Sequence, residues 1–198
     1  MTLTDLVALY EALRNDPFYL TLERSCREPG RARDAMLRYY DLSVKEAERW
    51  GRVGRAKGVM GLSVWSVPLS QEEAQQRAAE KAAGMERAMG RDCAALYQDV
   101  SRSMEQSEAT LPLEGMWYLS ILGVSPTQQG QGFGGALLAP VLAEADALGV
   151  ASYLTTFTPR NISFYERQGY VQAGTFEEPV VGSAFTVLVR QPKPQDSA

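Results

Sequence analysis

The 198-residue sequence contains no histidine and only two cysteines. Without imidazole, catalysis by a Ser-His-Asp triad or a Cys-His pair is excluded. The two thiols, Cys26 and Cys93, are far apart in sequence, so we expect no metal site. Neither belongs to a Cys-x-x-Cys motif, which favours two free thiols in a reducing compartment. Any proton transfer then has to use carboxylates, tyrosine, serine, backbone groups or water.

The sequence also lacks long apolar runs and an excess of positive charge. No run approaches the ~20 apolar residues that a membrane-spanning helix needs. The segment Met1–Asp16 has neither a basic start nor a continuous apolar core, so we expect no signal peptide and a cytoplasmic protein. With 24 acidic and 20 basic residues, the net charge is −4. This balance disfavours nucleic acid or an anionic membrane as the main partner.

The first half of the chain is predicted to be mainly helical. Apolar spacing predicts a helix over Leu3–Leu13, capped by Thr4, and a second helix over Arg31–Trp50, with a break at Asn15–Phe18 between them. A strand is predicted over Val59–Val67, and residues 53–56 are its possible hairpin partner. An Ala-, Glu-, Gln- and Arg-rich stretch over about 71–106 predicts one or two helices with a break near Gly90. We expect its methionines, Met85, Met89 and Met104, to fill the core.

The second half alternates strands with helices. The expected elements are strands at Met116–Val124 and Ala151–Phe157, helices at Gly132–Leu148 and Ile162–Gln168, and strands near Tyr170–Phe176 and Ala184–Arg190. The helix over Gly132–Leu148 carries one apolar stripe that we expect to pack against the sheet, made of Leu137, Leu138, Val141, Leu142, Ala145 and Leu148. This alternation predicts a parallel or mixed sheet.

A glycine-rich run, "SPTQQGQGFGG", separates the expected central strand from the long helix. Gly130, Gly132 and Gly135 match the spacing of a dinucleotide-binding loop. That interpretation needs an acid about 20 residues further on, and the stretch "VASYLTTF" contains none. A Walker loop needs a Gly-Lys-Ser/Thr sequence, which is also missing. A ligand-free turn and a different phosphate cradle, formed by backbone N–H groups at the helix N-terminus, remain.

Two motifs together resemble the GNAT superfamily of acyl-CoA-dependent N-acetyltransferases. "LGVSPTQQGQGFGGALL" is similar to its strand, Val-x-Pro, Gln-x-x-Gly-x-Gly and helix pattern. "PRNISFYERQGY" is similar to its second signature, an asparagine followed by an aromatic pair and then Gly-Phe or Gly-Tyr. The two motifs cover roughly residues 116–176.

A finer resemblance is to the puromycin N-acetyltransferase-like branch, carried by "WYLSILGVSP", "LLAPVLAEADALGV" and "RNISFYERQGY". One departure concerns Thr155, since relatives in this branch often carry Leu-Glu-Thr where this chain has Leu-Thr-Thr. If that glutamate serves the acceptor amine, its replacement puts the usual substrate in doubt.

The resemblance implies a site for acetyl-CoA as acyl donor. Backbone N–H groups of the glycine loop would hold the diphosphate, the end of the preceding strand would pair with the pantetheine arm, and Asn161 would hydrogen-bond that arm or cap a helix. The implied cofactor-binding residues are Leu122, Gly123, Val124, Gln129, Gly130, Gln131, Gly132, Phe133, Gly134, Gly135, Asn161 and Tyr165. In this motif the positions that matter are Gln129, Gly132 and Gly134, in place of the Gly130, Gly132 and Gly135 of the dinucleotide-binding spacing.

For catalysis, the resemblance makes Tyr165 the general acid that protonates the leaving thiolate. The general base cannot be a histidine, because the sequence contains none. Glu114 is a candidate, directly or through water, although it can equally be a surface acid. Ser120 and Tyr118 could line a water path along the strand.

We therefore expect one α/β domain of the GNAT fold over residues 1–190, with a mixed sheet, flanking helices, a helical insertion at about 71–106, and a flexible tail over 191–198. The expected activity is acetyl transfer from acetyl-CoA to a primary amine of a small molecule, by direct attack in a ternary complex, without a metal. The expected assembly is a monomer or homodimer. Two alternatives are a protein or peptide acetyltransferase and an acyl-CoA-binding sensor without catalysis.

Overall fold

The computed structural model describes residues 2–26 and 30–194. Its helices are α1 (Leu3–Leu13), α2 (Pro17–Ser25), α3 (Ala32–Trp50), α4 (Gln71–Met89), α5 (Arg91–Glu108), α6 (Phe133–Leu148) and α7 (Ile162–Arg167). Its strands are β1 (Gly51–Gly54), β2 (Gly61–Ser66), β3 (Trp117–Val124), β4 (Ser152–Thr156), β5 (Val171–Glu178) and β6 (Ser183–Arg190). Short 3-10 turns at Pro126–Gln128 and Pro159–Asn161 precede α6 and α7.

Local capping explains where the first helices begin. The hydroxyl of Thr2 accepts a hydrogen bond from the backbone N–H of Asp5, whose carboxylate accepts from Thr2 in return. This capping box satisfies N–H groups that the first turn leaves unpaired. The expected cap at Thr4 is therefore wrong, because Thr4 lies within the first turn. Helix α2 was not expected; it begins at Pro17, which needs no N–H partner, and Asp16 caps it.

The remaining boundaries agree closely with the sequence. Gly90, with φ +81°, separates α4 from α5 as expected. The segment before β2 does form its hairpin partner, β1. Of the tail, residues 191–194 have no regular secondary structure, while 195–198 lie outside the described residues.

The described residues form a mixed six-stranded sheet in the order β1-β2-β3-β4-β6-β5. Strands β3 and β4 are parallel, joined by the crossover through α6, and the other neighbours are antiparallel. A mixed sheet flanked by helices is the GNAT fold that the sequence predicted. The β3–β4 junction, where the crossover begins, positions the candidate site.

Helices cover both faces of the sheet. Adjacent residues of β2 face opposite ways, so Val64 joins the cluster under α1 and α3 while Trp65 joins the cluster under α6 and α7. The expected core methionines Met85, Met89 and Met104 are buried. The apolar stripe of α6 is buried up to Ala145, but its last member, Leu148, is 61% exposed, so its assignment to the core was wrong.

The two cysteines meet in the helical layer. Cys26 and Cys93 are both free thiols, as expected, and their Sγ atoms lie 3.1 Å apart. None of the described helices combines the length and apolar character needed to cross a lipid bilayer.

Candidate active site

Strands β3 and β4 separate partway along the sheet. Their pairing covers only Trp117–Leu119 opposite Ser152–Leu154, whereas β2 accompanies β3 as far as Val124. A β-bulge causes the change of direction, because Trp65 and Val64 oppose Leu119 and Ile121 and leave Ser120 as the extra residue. The Ser120 hydroxyl donates to the Val64 carbonyl (3.1 Å) and so fixes the bulge.

The bulge turns backbone groups of β3 toward the gap. The N–H of Ser125 donates to the Met60 carbonyl (2.8 Å), which lies on the β2 side. Because backbone groups alternate sides along a strand, those of Gly123 also point to β2, and those of Leu122 and Val124 point into the gap. Of the three β3 residues expected to pair with a pantetheine arm, two thus offer backbone groups. Gly123 instead lets α1 approach, since a Cβ there would lie 2.6 Å from Leu9 Cδ2.

Glutamine side chains hold the following loop to the sheet. The Gln128 carboxamide accepts from the Met60 N–H (2.6 Å) and donates to the Gly58 carbonyl (2.9 Å). Gln129 Nε2 donates to the Val124 carbonyl (3.0 Å), and exposed Gln131 donates to the Thr127 carbonyl (3.3 Å). The loop therefore has a defined path from the end of β3 to the start of α6.

The loop glycines divide into two kinds. Gly130 and Gly132 have φ of +77° and +82°, in the left-handed region that favours glycine, with open space where a side chain would be. Gly134 and Gly135 lie in the first turn of α6, where a Cβ would come within 2.9 Å of the Phe164 ring and 3.3 Å of Gln168 Oε1, respectively. Close packing against α7 thus accounts for Gly134, a reason that the sequence interpretation had not included.

The N-terminus of α6 has the features of an anion site. Gly132 is its N-cap and supplies no capping side chain, and the first turn contains no acidic residue. The N–H groups of Phe133, Gly134 and Gly135 therefore have no partner within the helix, and they lie at the positive end of its dipole. These groups can bind a phosphate or diphosphate.

Helix α7 brings Asn161 and Tyr165 to the other side of the gap. Asn161 occupies the N-cap position, but its side chain makes no capping hydrogen bond. Tyr165 is 8% exposed, and its ring lies edge-on to Phe164 and Tyr170. Burial raises the pKa of Tyr165 above its usual value, so the hydroxyl stays protonated at physiological pH. No side-chain hydrogen bond joins it to another described residue, so it can serve as a donor.

A cavity of about 480 Å³ lies beside the gap. Helices α3, α4 and α5 form one wall, and β2, β3 and β4 form the other. Four predicted site residues line it, namely Ser120, Leu122, Asn161 and Tyr165. The glycine loop lies outside the cavity, at the far end of β3. Glu114 is exposed in the segment before β3 and is not among the lining residues, so the structure does not bring it to Tyr165.

Aromatic side chains form the floor of this cavity. The Tyr118 and Tyr153 rings stack with centroids 4.8 Å apart, and the Tyr118 hydroxyl lies 3.1 Å from Thr155 Oγ1. Burial, with the nearby charge of Glu108, raises the pKa of both tyrosines. Thr155, the middle residue of the Leu-Thr-Thr stretch, is therefore hydrogen-bonded to a neutral phenol.

Charged side chains lie on the helical wall of the cavity, and none of them was among the site residues predicted from the sequence. Glu46 of α3 pairs with Arg77 and Lys81 of α4, while Glu105 and Glu108 of α5 also line the cavity. In the sequence these acids are indistinguishable from the exposed acids of the same helices; only the fold of the insertion separates them. Within the ranges 2–26 and 30–194, no group of three or more Cys, Asp or Glu side chains is arranged to hold a metal ion.

Comparison with known proteins finds a match to a family model over part of the chain and a likeness of fold over most of it. A family model described as an acetyltransferase (GNAT) domain matches residues 92–172. The chain is similar in structure to histone acetyltransferase HPA2 and related acetyltransferase from Corynebacterium glutamicum ATCC 13032, with 21% identity and a TM-score of 0.61 over 99% of this chain and 96% of that one.

Two further solved structures share the fold at lower identity. Arylalkylamine N-acetyltransferase 2 from Aedes aegypti is 10% identical with a TM-score of 0.61, over 98% of this chain and 97% of that one. An agmatine N-acetyltransferase is 16% identical with a TM-score of 0.56, over 94% and 93%. GNAT acetyltransferases are acyl-CoA-dependent transferases that use acetyl-CoA as donor.

Proposed function

We propose that this chain, whose residues 92–172 match a GNAT acetyltransferase domain, transfers the acetyl group of acetyl-CoA to a primary amine of a small molecule. The observation that carries the proposal is the gap beside β3. It runs from an uncapped, glycine-lined helix N-terminus to a cavity. A phosphate-bearing, extended donor fits the first part, and an acceptor fits the second.

The residues present fit acetyl-CoA as donor substrate, which supplies an acetyl thioester when bound. The N–H groups at the start of α6 would hold its diphosphate. Leu122 and Val124 would pair with the pantetheine arm as a neighbouring strand does, and the Asn161 carboxamide would bond to it. The Tyr165 hydroxyl would donate a proton to the departing sulfur.

The cavity supports a small acceptor over a peptide. Its volume, about 480 Å³, lies in the range of pockets that enclose small ligands. The insertion helices α4 and α5 form part of one wall of this cavity, whereas a peptide would need an open groove. By name, the arylalkylamine and agmatine N-acetyltransferases acetylate amines on this same fold. The finer assignment, to the puromycin N-acetyltransferase-like branch, is supported by the three sequence stretches quoted above.

A thiol-release assay tests this function. The protein is incubated with acetyl-CoA and a panel of primary amines, comprising alkylamines, polyamines, arylalkylamines and aminoacyl nucleosides, and free thiol is followed over time. At least one amine should release thiol and gain an acetyl group by mass spectrometry. Binding of acetyl-CoA without turnover of any amine would contradict the proposal and favour the sensor alternative.

A further inference from the structure

An acceptor amine is an ammonium ion at neutral pH and must lose a proton before it can attack. The residues expected from the sequence do not supply the proton acceptor. Glu114 lies outside the cavity, and the Ser120 hydroxyl donates to the Val64 carbonyl. The inference below rests on the proposed function and concerns the residue that takes this proton.

Asp16, Glu46, Glu105 and Glu108 are the carboxylates that line the cavity. The first two already have strong partners. Asp16 accepts from the Thr158 hydroxyl (2.9 Å) and from the N–H of Phe18 (3.0 Å). Glu46 forms ion pairs with Arg77 and Lys81 of α4, one through each carboxylate oxygen.

The other two acids, Glu105 and Glu108, lie one turn apart on α5. Glu105 is exposed, whereas Glu108 is half-buried at the last residue of the helix. Among the described residues, the Glu108 carboxylate makes no hydrogen bond or ion pair. Burial and the charge of Glu105 raise its pKa to about 7. The carboxyl-terminal end of α5 has no basic residue in its last turn to offset this.

The groups that face Glu108 from other elements are two tyrosines and charged side chains that already have partners of their own. Tyr118 of β3 and Tyr153 of β4 lie close enough that the charge of Glu108 raises their pKa values. Glu178 of β5, which also packs against α5, accepts from the Ser103 hydroxyl (3.1 Å). The cavity cations Arg77 and Lys81 are paired with Glu46.

We infer that Glu108 is the general base, the group that binds the acceptor ammonium over the Tyr118–Tyr153 stack and removes its proton. One N–H bond of the ammonium breaks and one O–H bond forms on Glu108. The nitrogen keeps the electron pair, and Glu108 later returns its proton to water. The stacked rings favour a cation at their face, so the acceptor class is a primary amine that is positively charged at neutral pH. Glu108 thereby acts from the insertion helix, across the cavity from Thr155.

The test compares Glu108→Gln with Glu105→Gln, using the most active amine of the panel. Removing a general base typically costs 10²- to 10⁴-fold, so kcat/KM of Glu108→Gln should fall at least about 100-fold with the Kd for acetyl-CoA unchanged. The wild-type rate should rise with pH through about 7, because the carboxylate form is the active one. That rise should vanish in Glu108→Gln. In Glu105→Gln it should persist but move to lower pH, since a like charge has been removed.

A second readout uses the unliganded protein. In wild type labelled with ¹³C-glutamate, NMR titration should show one carboxyl group that titrates near pH 7. Its signal should be absent from Glu108→Gln and should shift downward in Glu105→Gln. A Glu108→Gln variant within about threefold of wild type, or a Glu108 carboxyl that titrates near the ordinary ~4.3, would overturn the role of Glu108 alone. Failure of wild type to acetylate any amine would overturn both that role and the proposed function.

Discussion

Gly134 of α6 and Phe164 of α7 pack so closely that a Cβ atom on the glycine would lie 2.9 Å from the ring. The two residues belong to the two separate sequence motifs, and their contact joins the motifs in space. It holds α7, with Asn161 and Tyr165, against the N-terminal turn of α6. The proposed diphosphate cradle and the proposed proton donor therefore share one packing contact.

Replacing Gly134 with alanine should therefore destabilise the protein. Overpacking of this kind typically costs about 1–3 kcal/mol, and chemical denaturation measures it. Phe164→Leu supplies the matched partner, because a smaller side chain makes room for the new methyl group. The double variant should be more stable than the sum of the single effects predicts. Strict additivity of the two substitutions would show that the contact does not constrain Gly134.

Gly132→Ala tests the loop conformation rather than packing. Its φ of +82° in open space resembles that of Gly182, with φ +68°, in the β5–β6 turn. Alanine at either position should cost about 1 kcal/mol of stability through backbone strain. Only Gly132→Ala should also weaken acetyl-CoA binding in calorimetry, because Gly132 is the N-cap of the helix turn whose N–H groups form the proposed cradle. Equal affinities for the two variants would remove the loop from the binding site.

The fold was largely predictable from sequence because its elements carry strong local signals. Apolar periodicity gave α1, α3, α6 and the strands, and the glycine at position 90 marked the break between the insertion helices. Helix α2 was missed although Asp16-Pro17 is a recognisable start signal. The prediction that Leu148 is buried was wrong, because helical periodicity does not show where the sheet beneath the helix ends.

The site was predictable only where one continuous segment builds it. The glycine loop and the α7 motif are such segments, and both flank the gap. The cavity instead combines α3, α4 and α5 with three strands, so no local pattern distinguishes Glu108 from the exposed acids of α5. The same limit applies to Ser120, whose bulge position depends on the register of β2 against β3.

Tyr165→Phe tests the proposed proton donor. The ring is retained, so acetyl-CoA affinity should stay within about twofold, while kcat should fall roughly 10²-fold for loss of a general acid. Since burial raises the pKa of Tyr165, the wild-type rate should not decline through loss of its proton between about pH 7 and 9. Tyr170→Phe is the control, because its hydroxyl bonds to Ser152 outside the cavity (3.0 Å). An unchanged kcat in Tyr165→Phe would exclude the role.

Asp146→Asn tests the clamp between α6 and β6. Arg190, only 3% exposed, donates to both carboxylate oxygens of Asp146 at 2.7 Å and to the Gln168 carbonyl at 3.1 Å. Breaking a buried pair leaves an uncompensated charge, so the free energy of unfolding should fall by about 3 kcal/mol. Glu144→Gln, which removes an exposed pair with Arg52, should cost under about 1 kcal/mol.

The same pair has a pH signature. Hydrogen bonds from Arg190 hold the pKa of Asp146 below its unfolded value. Its stabilising contribution is therefore present above about pH 4 and is lost as pH falls through the lowered folded pKa. Urea denaturation of wild type and Asp146→Asn at pH 7 and at pH 3 should give curves that lie closer together at the lower pH. A difference that stays constant would contradict the ion pair as its source.

Isothermal titration of the wild-type protein with acetyl-CoA addresses the central claim most directly, because every proposed role depends on that donor. The wild-type protein should bind acetyl-CoA saturably at one site per chain, and this binding should be competed by coenzyme A and weakened in Gly132→Ala but not in Gly182→Ala. Absence of binding, or binding that coenzyme A does not compete, would contradict it.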